Sequence, residues 1–289
     1  MNPTENNTTQ ANLKICSLAS GSNGNAYYIA AGNEAILVDC GISYKQILGR
    51  AKSRGVDLRQ VKAVFITHEH SDHVRGMRVF CQNFKADCYM TKGTALKCKA
   101  FYMPVAPVKA ICYNESVTIG PFTVHCFEKP HDVEEPCSFR IEVDGVSIGV
   151  FTDIGCSCEG LKDNLAKCHV AFLESNYDEA MLWAGKYPEY LKQRVASDHG
   201  HLSNVQAADI VREVNPPHLH TLILSHLSAD NNRPQIAEKA FAEFAGKYKV
   251  MHASRYEAGE VFYVTETECS SKPKPIVIPD RLDRPEPKV

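Results

Sequence analysis

The chain has 289 residues, 32 Lys and Arg against 34 Asp and Glu, and a formal charge of −2. That length can bury a large core in one α/β domain or two small ones. The charge balance gives no global drive toward nucleic acid, although a local basic groove is compatible with a near-neutral sum.

Residues 1–12 are polar and Asn/Thr-rich and read as a tail. They carry neither the basic nor the apolar stretch of a secretory signal, so a cytoplasmic setting is expected. The twelve cysteines then read mainly as buried thiols. Strand patterns follow at Leu13–Ser20, Ala26–Ala31 and Ala35–Cys40, then a helix over Tyr44–Arg54 and a strand at Ala63–Thr67. A helix over Val74–Asn83 precedes strands at Cys88–Thr91, Lys109–Tyr113 and Phe122–Phe127. The run Ser138–Asp153 is split by Asp144-Gly145, a two-residue hairpin signal. Helices over Cys158–Ala166, Glu179–Trp183, Tyr190–Ala196, Val205–Val214 and Pro234–Lys247 are interleaved with strands Val170–Glu174, Thr221–Leu224, Val250–Ala253 and Val261–Thr265. Ser203 or Asn204 stands where a cap for the helix at Val205 belongs. Residues 269–289, rich in Pro and charge, read as a second tail. No apolar run approaches the ~18 residues of a spanning helix, so no membrane partner is expected.

Strand-rich blocks flanked by helices predict an αββα sandwich of two mixed β-sheets over residues 13–268, in one domain. Its most informative segment is Thr67-His68-Glu69-His70-Ser71-Asp72-His73, which closes the apolar run Ala63-Val64-Phe65-Ile66. Imidazole and carboxylate side chains at this density suit divalent cations, and a strand end that turns sharply can aim them at two adjacent ions. Further polar residues stand directly after apolar runs: Asp39, His131, Asp153 and His226. A sandwich places such positions on loops over a shared rim.

The spacing His-x-His-x-Asp-His resembles the signature of the metallo-β-lactamase superfamily. By that resemblance His68, His70 and His131 hold one metal, Asp72, His73 and His226 hold a second, and Asp153 bridges them. Asp39 resembles the carboxylate that orients a ligand histidine. Two divalent ions are implied, Zn or Mn with Fe as a further option. They would lie about 3.5–4 Å apart, lower the pKa of a bridging water, and yield a hydroxide that Asp72 orients. His70 stands where flavodiiron relatives carry Glu, which disfavours redox chemistry. About 70 residues separate Asp153 from His226, too few for a β-CASP insertion.

Further segments are similar to a narrower group, the YycJ/WalJ-type metallo-hydrolases: Ser17-Leu-Ala-Ser-Gly-Ser-Asn-Gly-Asn25, Phe172-Leu-Glu-Ser-Asn-Tyr-Asp178, Tyr187-Pro-Glu-Tyr-Leu-Lys-Gln-Arg194, Asp198-His-Gly-His-Leu-Ser-Asn204 and Ser225-His-Leu-Ser-Ala-Asp-Asn-Asn232. That resemblance implies a 5′-to-3′ DNA exonuclease acting on DNA ends, single-stranded or 5′-phosphorylated. The loop holding Ser20, Asn23 and Asn25 has a composition able to cradle a phosphate, or simply to turn between strands. His199 and His201 precede a helix N-terminus, and His201 could protonate a leaving oxygen or cap the helix. Glu174 and Asn176 end an apolar strand and are expected to face substrate, Glu174 alternatively supporting a ligand from behind. Lys192 and Arg194 suit a DNA backbone or a solvated face, and Tyr177, Trp183 and Tyr187 suit base stacking or packing. Hydrolysis of a small thioester, lactone or cyclic phosphodiester, and a non-catalytic metal-stabilised regulator, remain alternatives from other classes.

Overall fold

The computed structural model describes residues 13–102 and 108–264. Two sheets of seven strands each lie face to face. The first contains β1 (Leu13–Ala19), β2 (Ala26–Ala31), β3 (Glu34–Val38), β4 (Val61–Phe65), β5 (Asp87–Met90), β6 (Val108–Ala110) and β14 (Phe262–Val264), in the order β14-β1-β2-β3-β4-β5-β6. The second contains β7 (Ser116–Ile119), β8 (Phe122–Glu128), β9 (Cys137–Val143), β10 (Val146–Phe151), β11 (Val170–Glu174), β12 (Thr221–Ser225) and β13 (Lys249–His252), in the order β13-β12-β11-β10-β9-β8-β7.

Both sheets follow one plan. Antiparallel pairings at one side (β14-β1-β2-β3, and β7-β8-β9-β10) give way to parallel strands at the other. Parallel neighbours need crossovers, and helices supply most of them. In the first half these are α1 (Tyr44–Ser53), α2 (Ser71–Val74), α3 (Met77–Phe84) and α4 (Lys92–Tyr102). In the second half they are α5 (Glu159–Leu165), α6 (Glu179–Ala184), α7 (Glu189–Val195), α8 (Asn204–Val214) and α9 (Pro234–Ala240).

The parallel strands are apolar on both faces because both faces are covered. Along β3, Ile36 and Val38 enter the layer between the sheets while Ala35 and Leu37 face α1 and α3. Along β11, Val170 and Phe172 point inward while Ala171 and Leu173 pack beneath α5, α8 and α9. Aromatic pairs tie the sheets together: Tyr27 to Phe172 at 4.8 Å and Phe65 to Phe139 at 5.5 Å between ring centroids.

The expected αββα sandwich is present, with local differences. The helix expected over Val74–Asn83 is two helices broken at Gly76, where a Cβ would lie 2.2 Å from the Ile42 carbonyl oxygen. The helix expected over Pro234–Lys247 stops at Ala240, followed by a 3-10 turn at Ala242–Phe244. Ser203, not Asn204, caps α8: it accepts from Gln206 N, and the Gln206 side chain returns to the Ser203 amide. Strand β7 and helix α4 carry no clear sequence signal, and the structure adds both. The tails expected at 1–12 and 269–289 fall outside the described residues.

Candidate metal centre

The parallel strands of both sheets deliver their C-terminal ends to one rim. There the chain leaves β3 at Asp39, β10 at Asp153 and β12 at His226, with φ of 59°, 56° and 57°. Each left-handed turn costs a non-glycine residue about 1–2 kcal/mol. The strain recurs at three polar positions that converge, as it does at functional sites. β4 adds Thr67 through His73, and β8 leads through Lys129 and Pro130 to His131. Gly41 permits the close approach: a Cβ there would lie 1.5 Å from the Asp72 carbonyl oxygen.

Three imidazole nitrogens form a first group. His68 Nε2 is 3.1 Å from His70 Nδ1, which is 3.3 Å from His131 Nε2. Nitrogens bound to zinc at about 2.0–2.1 Å in a tetrahedron lie about 3.3 Å apart, so both of these separations suit such an ion. His131 Nδ1 donates to the Gly200 carbonyl at 3.2 Å, which leaves Nε2 bare and inward. Burial, the largest effect, pushes the His131 pKa down to about 3. It also holds His68 well below the usual histidine range. Neutral imidazoles are the form a cation binds.

A second group lies alongside. His73 Nε2 is 3.5 Å from Asp72 Oδ2 and 3.1 Å from Asp153 Oδ2. His226 Nε2 is 3.6 Å from both Asp72 Oδ2 and Asp153 Oδ1. Each ring is turned inward by a buried carboxylate behind it: Asp39 Oδ2 on His73 Nδ1 at 2.8 Å, and Glu174 Oε1 on His226 Nδ1 at 2.9 Å. Asp153 stands between the groups, with Oδ1 also 4.0 Å from His131 Nε2.

These donors fit divalent cations. Asp39, Asp153 and Glu174 are buried, and His226 Nε2 finds no hydrogen bond among the described residues. Buried carboxylates at this density need a counter-charge. Without an ion, protons supply it. Burial opposes a charged His226, yet Asp153, Asp72 and Glu174 outweigh it and push its pKa up to about 10. The residues meet in four overlapping groups able to hold an ion, with Asp153 in two of them.

The remaining sequence candidates divide by exposure. His201 is at the rim, its Nδ1 2.9 Å from Glu174 Oε1, its ring 5.3 Å from that of His226 and 5.6 Å from that of His131. Asn23 and His199 are exposed. Ser20 and Asn25 are fully buried, which corrects the phosphate-cradle expectation for both. Ser20 Oγ accepts from the His226 amide at 2.8 Å, and Asn25 Nδ2 meets His73 Nε2 at 3.0 Å. The expectation that Glu174 and Asn176 face substrate is corrected for the same reason. Glu174 is fully buried, with Oε1 on His201 and His226 and Oε2 accepting from the Ile154 and Leu202 amides at 2.7 and 3.2 Å. Asn176 Nδ2 is spent on the His226 carbonyl at 2.7 Å. Arg194 pairs with Asp132 beside His131, and Lys192 donates to the Trp183 carbonyl.

Sequence reasoning missed Thr67. Its hydroxyl reaches both oxygens of Asp39, and it lies 3.0 Å from His68 Nδ1 and 3.2 Å from His73 Nδ1. It also missed Lys129, buried beneath the centre with Nζ donating to the Thr152 carbonyl at 2.7 Å. Neither has a sequence signal beyond adjacency to a ligand.

Fold and donor chemistry define a metal-dependent hydrolase built on an αββα sandwich. The chain belongs to the β-lactamase superfamily, whose domain profile, described as Beta-lactamase superfamily domain, matches residues 34–227. It is 29% identical over 258 residues to the exodeoxyribonuclease YycJ of Bacillus anthracis, covering 89% of this chain and 96% of that protein. It is 30% identical over 233 residues to the exodeoxyribonuclease WalJ of Streptococcus pneumoniae, covering 79% and 87% respectively. Among solved structures, the metallo-β-lactamase fold protein YhfI of Bacillus subtilis superposes with a TM-score of 0.67 at 18% identity, over 86% of this chain and 99% of that one. Among the described residues, no helix is long and apolar enough to cross a membrane.

Proposed function

We propose that this protein is a metal-dependent 5′-to-3′ exonuclease on DNA ends, with His68, His70 and His131 holding one divalent ion, Asp72, His73 and His226 a second, and Asp153 shared. The observation that carries the reading is the pair of converging donor groups on one rim, with the rings of His68, His131, His73 and His226 each held from behind by a buried group. The likeness to two proteins named exodeoxyribonucleases, over most of their lengths, supplies the substrate class. Zinc or manganese, with iron as a further option, suits a mixed imidazole–carboxylate set. When bound, such ions polarise a phosphodiester and lower the pKa of water held between them.

The chain's own groups do the rest. Asp72, partly open at the rim, orients the attacking water and accepts its proton. His201, held through Nδ1 by Glu174, gives a proton to the departing oxygen from its other ring nitrogen. Asn23 and His199 are the exposed polar groups placed to meet the substrate backbone. Glu174 and Asp39 touch no substrate; they fix the tautomer and tilt of His226 and His73.

The test is digestion of single-stranded DNA bearing a 5′-phosphate or a 5′-hydroxyl, with Mn²⁺, beside the His68→Ala/His70→Ala protein. Stepwise loss from the 5′ end, absent in the double variant and faster with the phosphate, is expected. No cleavage by protein shown to hold two ions would overturn the nuclease and favour a small-molecule hydrolase.

A further inference from the structure

A cavity of about 580 Å³ opens beside His131 and His199. Its size is within the roughly 300–1,000 Å³ of small-ligand sites. The far wall carries Tyr113, whose ring is fixed by its hydroxyl donating to the Pro136 carbonyl at 3.0 Å. Phe127 also lines the cavity, as do the exposed carboxylates of Glu128 and Glu134, the latter paired with Lys97 at 3.1 Å. Lys129, the one lysine lining it among the described residues, is no anion site. It is buried, and its Nζ is committed to the Thr152 carbonyl at 2.7 Å.

Away from His199, that chemistry favours a neutral planar group with hydrogen-bond donors over a phosphate. Carboxylates repel the backbone charge and accept from exocyclic amino groups, whereas an unpaired thymine offers them only N3–H, flanked by two carbonyl oxygens that they repel. The half-buried ring of Tyr113 supplies stacking for any base. We infer that this cavity holds one unpaired nucleobase next to the scissile bond, preferring amino-bearing cytosine, adenine or guanine over thymine. The inference rests on the nuclease reading and adds a specificity pocket to it. Cys156 and Cys158 also line the cavity, but burial raises both thiols above their usual pKa, so the pocket offers shape rather than a nucleophile.

The experiment gives the full-length, Mn²⁺-loaded protein single-stranded oligonucleotides carrying one abasic residue, moved stepwise through the positions flanking the first cleaved bond. One position is expected to raise KM by about tenfold, the scale of one lost base stack, while its neighbours do not. A uniform KM on substrates that are cleaved overturns the pocket and leaves the nuclease standing; no cleavage of any substrate overturns both. Val133→Trp, at a half-exposed loop position on the cavity wall, is expected to bring the abasic-to-natural KM ratio close to one. Glu128→Gln, at an exposed position, keeps the volume and tests the charge. It is expected to reduce the preference for cytosine over thymine at the sensitive position. Retention of both discriminations in the two folded variants, or of the second in Glu128→Gln alone if Val133→Trp does not fold, contradicts the assignment.

Discussion

Glu174 holds His226 and His201 through one oxygen, at 2.9 Å from each ring, while its other oxygen accepts two amides. Burial opposes its charge, but His201 and His226 keep the carboxyl below its usual range. Glu174→Gln keeps the volume and removes the charge that orients both rings. The expected result is a fall of about 10–100-fold in metal affinity, read by competition with a chromogenic chelator. Unchanged affinity would remove Glu174 from the positioning of His226. Asp72→Asn is expected to leave the far-UV spectrum intact and lower kcat by about 10²–10⁴-fold; unchanged kcat with metal bound would exclude Asp72 as the water's partner. The candidate donors were legible because they stand at or shortly after the ends of apolar runs, or within the dense His68–His73 segment. Their supports were not. Ser20 lies 206 positions from His226 and Asn25 lies 48 from His73, and only the packed sheets bring such partners together.

At the scale of elements, legibility followed burial. The parallel strands are continuous apolar runs, and β2 and β11 begin and end where their sequence patterns do. Strand β7 escaped because it has four residues at a sheet edge, alternately exposed and half-buried. The break between α2 and α3 escaped because the Gly76 amide there donates to the Cys40 carbonyl at 2.8 Å, a partner distant in sequence. The turn from α5 into β11 carries a pH-sensitive contact. The Ser147 amide donates to His169 Nδ1 at 3.0 Å, which requires that nitrogen to be bare. Burial, then the neighbouring His218 and His220, lower the His169 pKa below 6.5. Above about pH 6.5 the ring is neutral in both folded and unfolded chains and contributes nothing. Below it the unfolded chain takes up the proton first, so stability falls as pH drops toward the folded pKa. His169→Gln is therefore expected to flatten the decline of the urea midpoint between about pH 7 and 5. Parallel declines in the two proteins would exclude this contact as a cause.

At the scale of the molecule, two sheets built on one plan bring the ends of their parallel strands to a common rim, and each contributes to both donor groups' surroundings. The first sheet supplies Asp39 and the His68–His73 segment; the second supplies His131, Asp153, Glu174 and His226. The layer between them, centred on Tyr27, Phe65, Phe139 and Phe172, sets the spacing across the rim. The architecture was legible as a sandwich from alternating blocks of strand and helix, whereas the cavity beside His131 was not, since its walls come from four separated segments of the chain, 113–114, 127–136, 156–160 and 199. The account's central claim is that these donors load two ions and that phosphodiester hydrolysis depends on both. The most direct test is stepwise addition of Mn²⁺ to metal-free protein while the initial rate of single-stranded DNA hydrolysis is read. The account expects no rate without metal, a rise to a plateau at two equivalents per chain, and a flat line for His68→Ala/His70→Ala. A rate indifferent to added metal, or a plateau complete at one equivalent, would contradict it.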